Sequence, residues 1–337
     1  MISLLDCAVL ADDVYNREDN NLAISHGWRR VDGQNWPDGF AAGLYEKGNE
    51  RVIAFRGTDD VSDAIADAQM VPVAEDQRVR SVTPAILRAY GLQDNVELNS
   101  GALVLGTLLT HRQTRSAVAT WANRAPTNQT TQALAYYDRS RRPPRFVVGH
   151  SLGGALAKIV SQRRAIPAIA FNSPFMGSMH GVAPVSSPSI WSVNTIGDPL
   201  SLATHQAGNL PHGRTIAVRI ARFSRRPPPQ PELPAYTRPV SCPRTAEAWY
   251  RRPEGILQAA ASNACEVAMD AWDSVGSTLS MPERYLQMLR QYPAYYAGLF
   301  TYLKDAALHH HSMENLRTAI GRNRQYRQAL PSNLSSV

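Results

Sequence analysis

The stretch Phe146-Val-Val-Gly-His-Ser151-Leu-Gly-Gly-Ala155 limits what this chain can fold into more than any other segment. An apolar, β-branched run ends in Gly-x-Ser-x-Gly, and the helix-forming Ala155-Leu-Ala-Lys-Ile-Val160 follows at once. A strand that turns directly into a helix leaves no room for side chains two residues before and after the serine, which accounts for Gly149 and Gly153. The same turn holds the serine in a strained backbone conformation, its hydroxyl out of the sheet and its neighbours' amides toward an incoming carbonyl. Ser151 is therefore the candidate nucleophile. The plainer alternative is a glycine-rich strand–helix connection in which the serine only caps the helix.

The remaining sequence places that turn inside an α/β domain. Residues 2–15 read as an amphipathic helix. Residues 40–45 and 51–55 read as two strands joined by the hairpin signal Glu46-Lys-Gly-Asn-Glu50. A short helix is expected from about Asp59, with longer helical stretches between Ser81 and Asn123. A further helix over 131–139 is broken by Pro143-Pro144. Beyond the serine, 168–171, 190–193 and 214–220 are short strand candidates bounded by Pro and Gly. Strands alternating with helices predict a central, mostly parallel sheet flanked by helices on both faces, an α/β-hydrolase-like arrangement. At residue 224 the composition changes to a proline-rich arm. Two helical stretches follow, 256–275 and 282–307, the second with Tyr285, Leu289, Tyr292, Tyr296, Leu299 and Leu303 at helical spacing. The expected organisation is a core over 1–223, a proline-rich arm and helical cap or lid over 224–304, a return to the core over 305–327, and a frayed tail over 328–337.

A serine nucleophile needs a base to take its proton and a carboxylate to orient the base. In α/β-hydrolase-like folds the order along the chain is Ser, Asp or Glu, then His, and ligands bind at the carboxyl edge of an open α/β sheet. Asp198, just past the 190–193 strand in Asn194-Thr-Ile-Gly-Asp198-Pro199, fits that place. The histidines after it are His205, His212, His309, His310 and His311. Three successive histidines on a helix project about 100° apart and cannot converge on one metal ion, so one of them can point inward. His311 is favoured because Ser312-Met-Glu-Asn-Leu316 opens a new helix directly after it and puts that imidazole at a loop–helix junction. His310 is the alternative base. The oxyanion donors are expected at the amide of Leu152 and at an earlier strand end, Ile53-Ala-Phe-Arg-Gly-Thr58, through the amide of Thr58.

The formal net charge is +7, much of it in arginine doublets such as Arg141-Arg142 and Arg225-Arg226. The bland reading is solvated arginines. The functional one is attraction to an anionic surface, and lipid is preferred because no nucleic-acid-reading module is present. Three cysteines at wide spacing suit free thiols in a reducing compartment. The first residues lack a basic leader, so a cytoplasmic location in the producing cell, with no signal peptide, is expected. No metal and no organic cofactor is called for.

Taken together, Ala54-Phe-Arg-Gly-Thr58, Gly149-His-Ser-Leu-Gly-Gly154, Ala170-Phe-Asn-Ser-Pro174, Asn194 with Gly197-Asp-Pro199, and the His-Ser-Met-Glu-Asn run at 311–315 resemble the class 3, fungal-type lipases and their bacterial branch. The resemblance implies hydrolysis of carboxylic esters of lipids, as a lipase or phospholipase, through an acyl-enzyme. Ser151 would be nucleophile, Asp198 orienting acid, His311 base, and Thr58 and Leu152 oxyanion donors. It departs from the compact family pattern in the long insertion between Asp198 and His311. Bacterial relatives include leaderless antibacterial effectors delivered by type VI secretion. The resemblance thus extends to export by a leaderless route and to a cognate inhibitor protein as partner. The rival readings are a soluble esterase or thioesterase on small acyl donors, and a catalytically silent hydrolase fold used for binding.

Overall fold

Among the described residues, seven strands make one sheet in the order in which the chain produces them: β1 (Arg29–Asn35), β2 (Ala41–Lys47), β3 (Glu50–Phe55), β4 (Phe146–His150), β5 (Ala168–Phe171), β6 (Ile190–Thr195) and β7 (Arg214–Val218). The computed structural model describes residues 2–16, 21–35, 40–57, 88–92, 129–173, 189–198, 201, 213–229 and 293–328. β1, β2 and β3 pair antiparallel, and β3 through β7 are all parallel. The hairpin between β2 and β3 turns at Gly48, whose φ of 58° suits the residue without a Cβ. The edge strand β1 and the short helix α2 (Asn21–Ser25) carry no strong sequence pattern and were not expected; β1 is mostly polar and half-exposed.

Strands β2 to β6 alternate between two cores. On one face Val52, Ala54, Phe146, Val148, Ile169, Phe171 and Val193 pack with the first and last helices, α1 (Leu4–Asp13) and α6 (Met313–Arg322). On the other, Ile53, Phe55, Val147, Ala168 and Ile190 pack with Leu156, Ala157 and Val160 of α4 (Leu152–Arg164) and with Ala133 and Tyr136 of α3, described over 129–138. A parallel sheet built strand by strand in one direction, with the usual right-handed crossovers, sends its connections to a single face. Here the opposite face is closed by the two ends of the described chain. α1 is held by a capping box, in which the Ser3 hydroxyl accepts from the Asp6 amide and the Asp6 carboxylate accepts from the Ser3 amide. Arg317 of α6 is paired with Asp12 of α1 at 2.5 Å.

The last long helix, α5 (Pro293–His311), ends later than its apolar pattern suggests and crosses residue 304 without a break. His309, His310 and His311 therefore sit in its final turn, and His311 lies at a junction between two helices instead of between a loop and a helix. Leu299, Tyr302 and Ala306 of α5 pack on Tyr90 and Leu92 in a small separate core. The expected helices near Asp59, over 81–123 and over 256–275 fall mainly or wholly outside the described residues, as do His205 and His212. Among the described residues, no helix is long and apolar enough to cross a membrane.

Candidate active site

Because β3 to β7 are parallel, their carboxyl ends share one edge, where an open α/β sheet binds its ligands. Gly57, Ser151, Asn172 and Asp198 follow the ends of β3, β4, β5 and β6 at that edge. Ser151 has φ 56° and ψ −128°, a conformation non-glycine residues rarely adopt, and its amide donates to the Phe171 carbonyl at 2.9 Å. The flanking glycines answer to two different obstacles. A Cβ on Gly149 would run into the backbone of Gly153 across the turn, as the sequence argument requires, whereas a Cβ on Gly153 would meet the Phe55 carbonyl of β3. The Ser151 side chain makes no capping hydrogen bond, which removes the reading of it as a helix cap. Its Oγ is buried and has no hydrogen-bond partner among the described residues.

His311 Nδ1 lies 2.7 Å from Asp198 Oδ1, and both side chains are buried. The carboxylate can only accept, so the proton sits on Nδ1 and Nε2 is left as the basic nitrogen. That Nε2 is buried and, like Ser151 Oγ and His310 Nε2, has no hydrogen-bond partner among the described residues. Asp198 is itself fixed: its amide donates to the Thr195 carbonyl at 3.0 Å, and its Oδ2 accepts from the Ser201 amide at 2.7 Å. The His311 ring packs 4.7 Å from the ring of His150, the residue before the serine. The other two histidines point elsewhere, as the 100° spacing demands. His310 Nδ1 donates to the Ile196 carbonyl at 3.0 Å, and His309 Nε2 donates to the Ala221 carbonyl at 2.8 Å. His310, the alternative base, makes no contact with the Asp198 carboxylate among the described hydrogen bonds and instead stacks on Tyr90. Burial lowers its pKa, helped by the neighbouring His309.

Leu152 is the first residue of α4, so its amide has no carbonyl within its own helix to reach. Thr58 lies outside the described residues. The residue before it, Gly57, runs against the nucleophile turn: a Cβ there would come within 3.0 Å of Ser151 Cβ and 2.7 Å of the His150 carbonyl.

Asn172 is a site residue that the sequence argument quoted within a motif without giving it a task. Its Oδ1 accepts from the Thr195 amide at 2.7 Å, and its Nδ2 donates to the carbonyls of His310 and His311 at 3.3 and 3.2 Å. It adopts φ 43° directly after β5, a conformation asparagine tolerates better than most residues. A polar residue with that tolerance immediately after an apolar strand is the signal that could have marked it. Tyr15 and His150 also went unassigned, since nothing local in sequence joins an N-terminal tyrosine to the strand–helix turn. Among the described residues no cluster of three or more His, Cys, Asp or Glu could hold a metal ion.

Residues 52–179 match the family model described as Lipase (class 3). The matched segment runs from β3 through the nucleophile turn and α4 to just beyond β5, so it contains Ser151 but neither Asp198 nor His311. No curated protein matches the chain. The sheet is that of an α/β-hydrolase-type fold, and residues 52–179 of it are similar to the class 3 lipases.

Proposed function

From that class 3 lipase match we infer that the chain is a serine hydrolase cleaving carboxylic esters of lipids, with Ser151 as nucleophile, His311 as base and Asp198 as the acid that orients it. One observation carries the reading. His311, whose Nδ1 lies 2.7 Å from the buried Asp198 carboxylate, packs its ring 4.7 Å from that of His150, the residue before the strained Ser151, so an oriented imidazole and a serine stand at one sheet edge. A nucleophile and its base require that arrangement.

The chemistry follows from the proton positions. His311 Nε2 accepts the proton of Ser151 as Oγ bonds to the ester carbonyl carbon, and the resulting imidazolium is stabilised by Asp198. The carbonyl oxygen, now an oxyanion, accepts from the amides of Leu152 and Thr58; the first also stands at the positive end of α4. Collapse of the adduct breaks the bond to the alcohol oxygen, which leaves with the proton from His311. Water then attacks the acyl-enzyme with His311 again as base, releasing the acid and restoring the serine. Every step uses only the chain's own groups and water.

Lipid, and phospholipid in particular, is the proposed substrate class, supported by the net charge of +7 and its attraction to anionic surfaces. A lid role for the 224–304 insertion is part of the proposal and stands on its aromatic residues at helical spacing in the sequence. Delivery outside the producing cell, with a cognate inhibitor protein as partner, is part of the same proposal and stands on the sequence resemblance alone.

A fluorophosphonate probe is expected to label Ser151 in the folded protein and to fail on Ser151→Ala. Absence of an adduct would favour a binding module. A panel of short- and long-chain esters, monomeric and micellar, separates lipase from small-substrate esterase: equal turnover on both forms would remove the lid and the lipid preference together. Product analysis on mixed bacterial phospholipids identifies the bond cleaved.

A further inference from the structure

The hydrolase reading leaves the half-buried Tyr15 hydroxyl and the buried His150 imidazole unexplained, and the inference drawn from them rests on that reading. We propose that Tyr15 and His150 are positioning residues that tie the oxyanion-side turn at Gly57 to the backbone of His311, so that both sides of the Ser151 hydroxyl are held as one unit. Three hydrogen bonds make the connection. The Gly57 amide donates to the Tyr15 hydroxyl oxygen at 3.1 Å, the Tyr15 O–H donates to His150 Nδ1 at 2.9 Å, and His150 Nε2 donates to the His311 carbonyl at 2.8 Å.

Only one arrangement of hydrogens satisfies all three. A carbonyl cannot donate, so His150 carries its proton on Nε2. A neutral imidazole has one N–H, so Nδ1 must accept, and the hydroxyl that donates to it still has a lone pair for the Gly57 amide. The tyrosine thus sets the tautomer, and the tautomer sets the bond to His311. Burial pushes the His150 pKa well below its ordinary value, and the nearby His311 ring adds to the effect. His150 therefore stays neutral when His311, with its ring 4.7 Å away, takes up the serine proton.

Packing alone does not call for these residues. A phenylalanine at 15 and an aliphatic residue at 150 would fill similar space without burying polar atoms that cost free energy whenever unpaired. What the polar pair adds is position. Gly57 stands one residue before the proposed donor Thr58, and its turn is in contact with the elbow; His150 is the residue before the nucleophile; the His311 carbonyl is on the base itself. Tyr15 brings the region just beyond α1 into the site, across the sheet face that α1 covers.

The test uses the full chain carrying Tyr15→Phe, His150→Gln or His150→Leu, with ester turnover, fluorophosphonate labelling of Ser151 and thermal melting measured on each. Tyr15→Phe is expected to lower kcat by about 10- to 100-fold with KM changed by less than about twofold, the pattern of misplaced groups and not of lost binding. Labelling should slow in parallel while the melting temperature stays close to that of the parent. His150→Gln keeps an amide donor toward the His311 carbonyl and is expected to recover most of what His150→Leu loses. Should His150→Leu fail to fold, Tyr15→Phe and His150→Gln decide between them. Parent-like kcat and labelling in Tyr15→Phe would overturn the relay while leaving the hydrolase reading intact, as would equal losses in His150→Gln and His150→Leu. A parent protein that neither turns over esters nor labels at Ser151 overturns both.

Discussion

At the scale of single residues the site is a set of hydrogen-bond choices with few alternatives. His311 gives its Nδ1 proton to Asp198 while His310 gives its own to a backbone carbonyl, so adjacent imidazoles have different work. His311→Ala is expected to cost at least about a thousandfold in ester turnover with the fold retained, whereas His310→Ala should stay within about tenfold of the parent. Turnover and circular dichroism on the two variants check this, and the reverse ranking would move the base by one position. Asn172→Ala strips the Thr195 amide and two helix-end carbonyls of a buried partner. It should lower stability in urea by about 1–3 kcal/mol and reduce turnover as well. A stability loss with full activity would confine Asn172 to the fold.

Elements show why the histidine run sits where it does. The last carbonyls of a helix have no amide of their own, and at the end of α5 each finds a partner nonetheless. Leu308 O accepts from the Ser312 amide, His309 O from Asn315, His310 O from Asn172, and His311 O from both His150 and Asn172. The helix end is thereby fixed to β4, β5 and α6 at once, and the proposed base is carried on its final residue. On α4 the cost runs the other way. Lys158 is buried, and burial alone lowers its pKa from 10.5 to about 8. Below about pH 8 both folded and unfolded chains hold the proton, and the folded chain bears the full burial cost. Between that value and 10.5 only the unfolded chain stays protonated, so stability should rise with pH over this window. Lys158→Met is expected to add about 1–3 kcal/mol near neutral pH and to flatten the rise. Urea midpoints at the two ends of the window measure it, and an unchanged slope would show that Lys158 is not its source.

For the whole molecule the sheet order has a consequence for both ends of the described chain. One face is covered by connections between strands; the other depends on α1 and α6, which meet there from opposite ends of the described residues. Leu316 is fully buried in that core. Leu316→Ala should cost about 2–5 kcal/mol in a denaturant titration. A loss under about half a kcal/mol would mean that α6 does not seal this face. Loss of activity should follow the loss of fold, unlike the effect of His311→Ala.

Local chemistry was legible directly. The nucleophile turn, the β2–β3 hairpin and the parallel strands around Ser151 rest on glycine sterics, β-branched runs and strand–helix alternation, all of which act within a few residues. Asp198 and His311 were legible as candidates because loop–strand edges and helix starts leave local marks. What adjacent sequence could not carry is the meeting of segments far apart in the chain. The partner of His311 Nδ1, the clamp from Asn172, the Tyr15–His150 bridge and the polar edge strand β1 are decided by contacts across the sheet. Such contacts depend on which elements pack together, and only the folded sheet brings its five parallel strand ends and the end of α5 to one place.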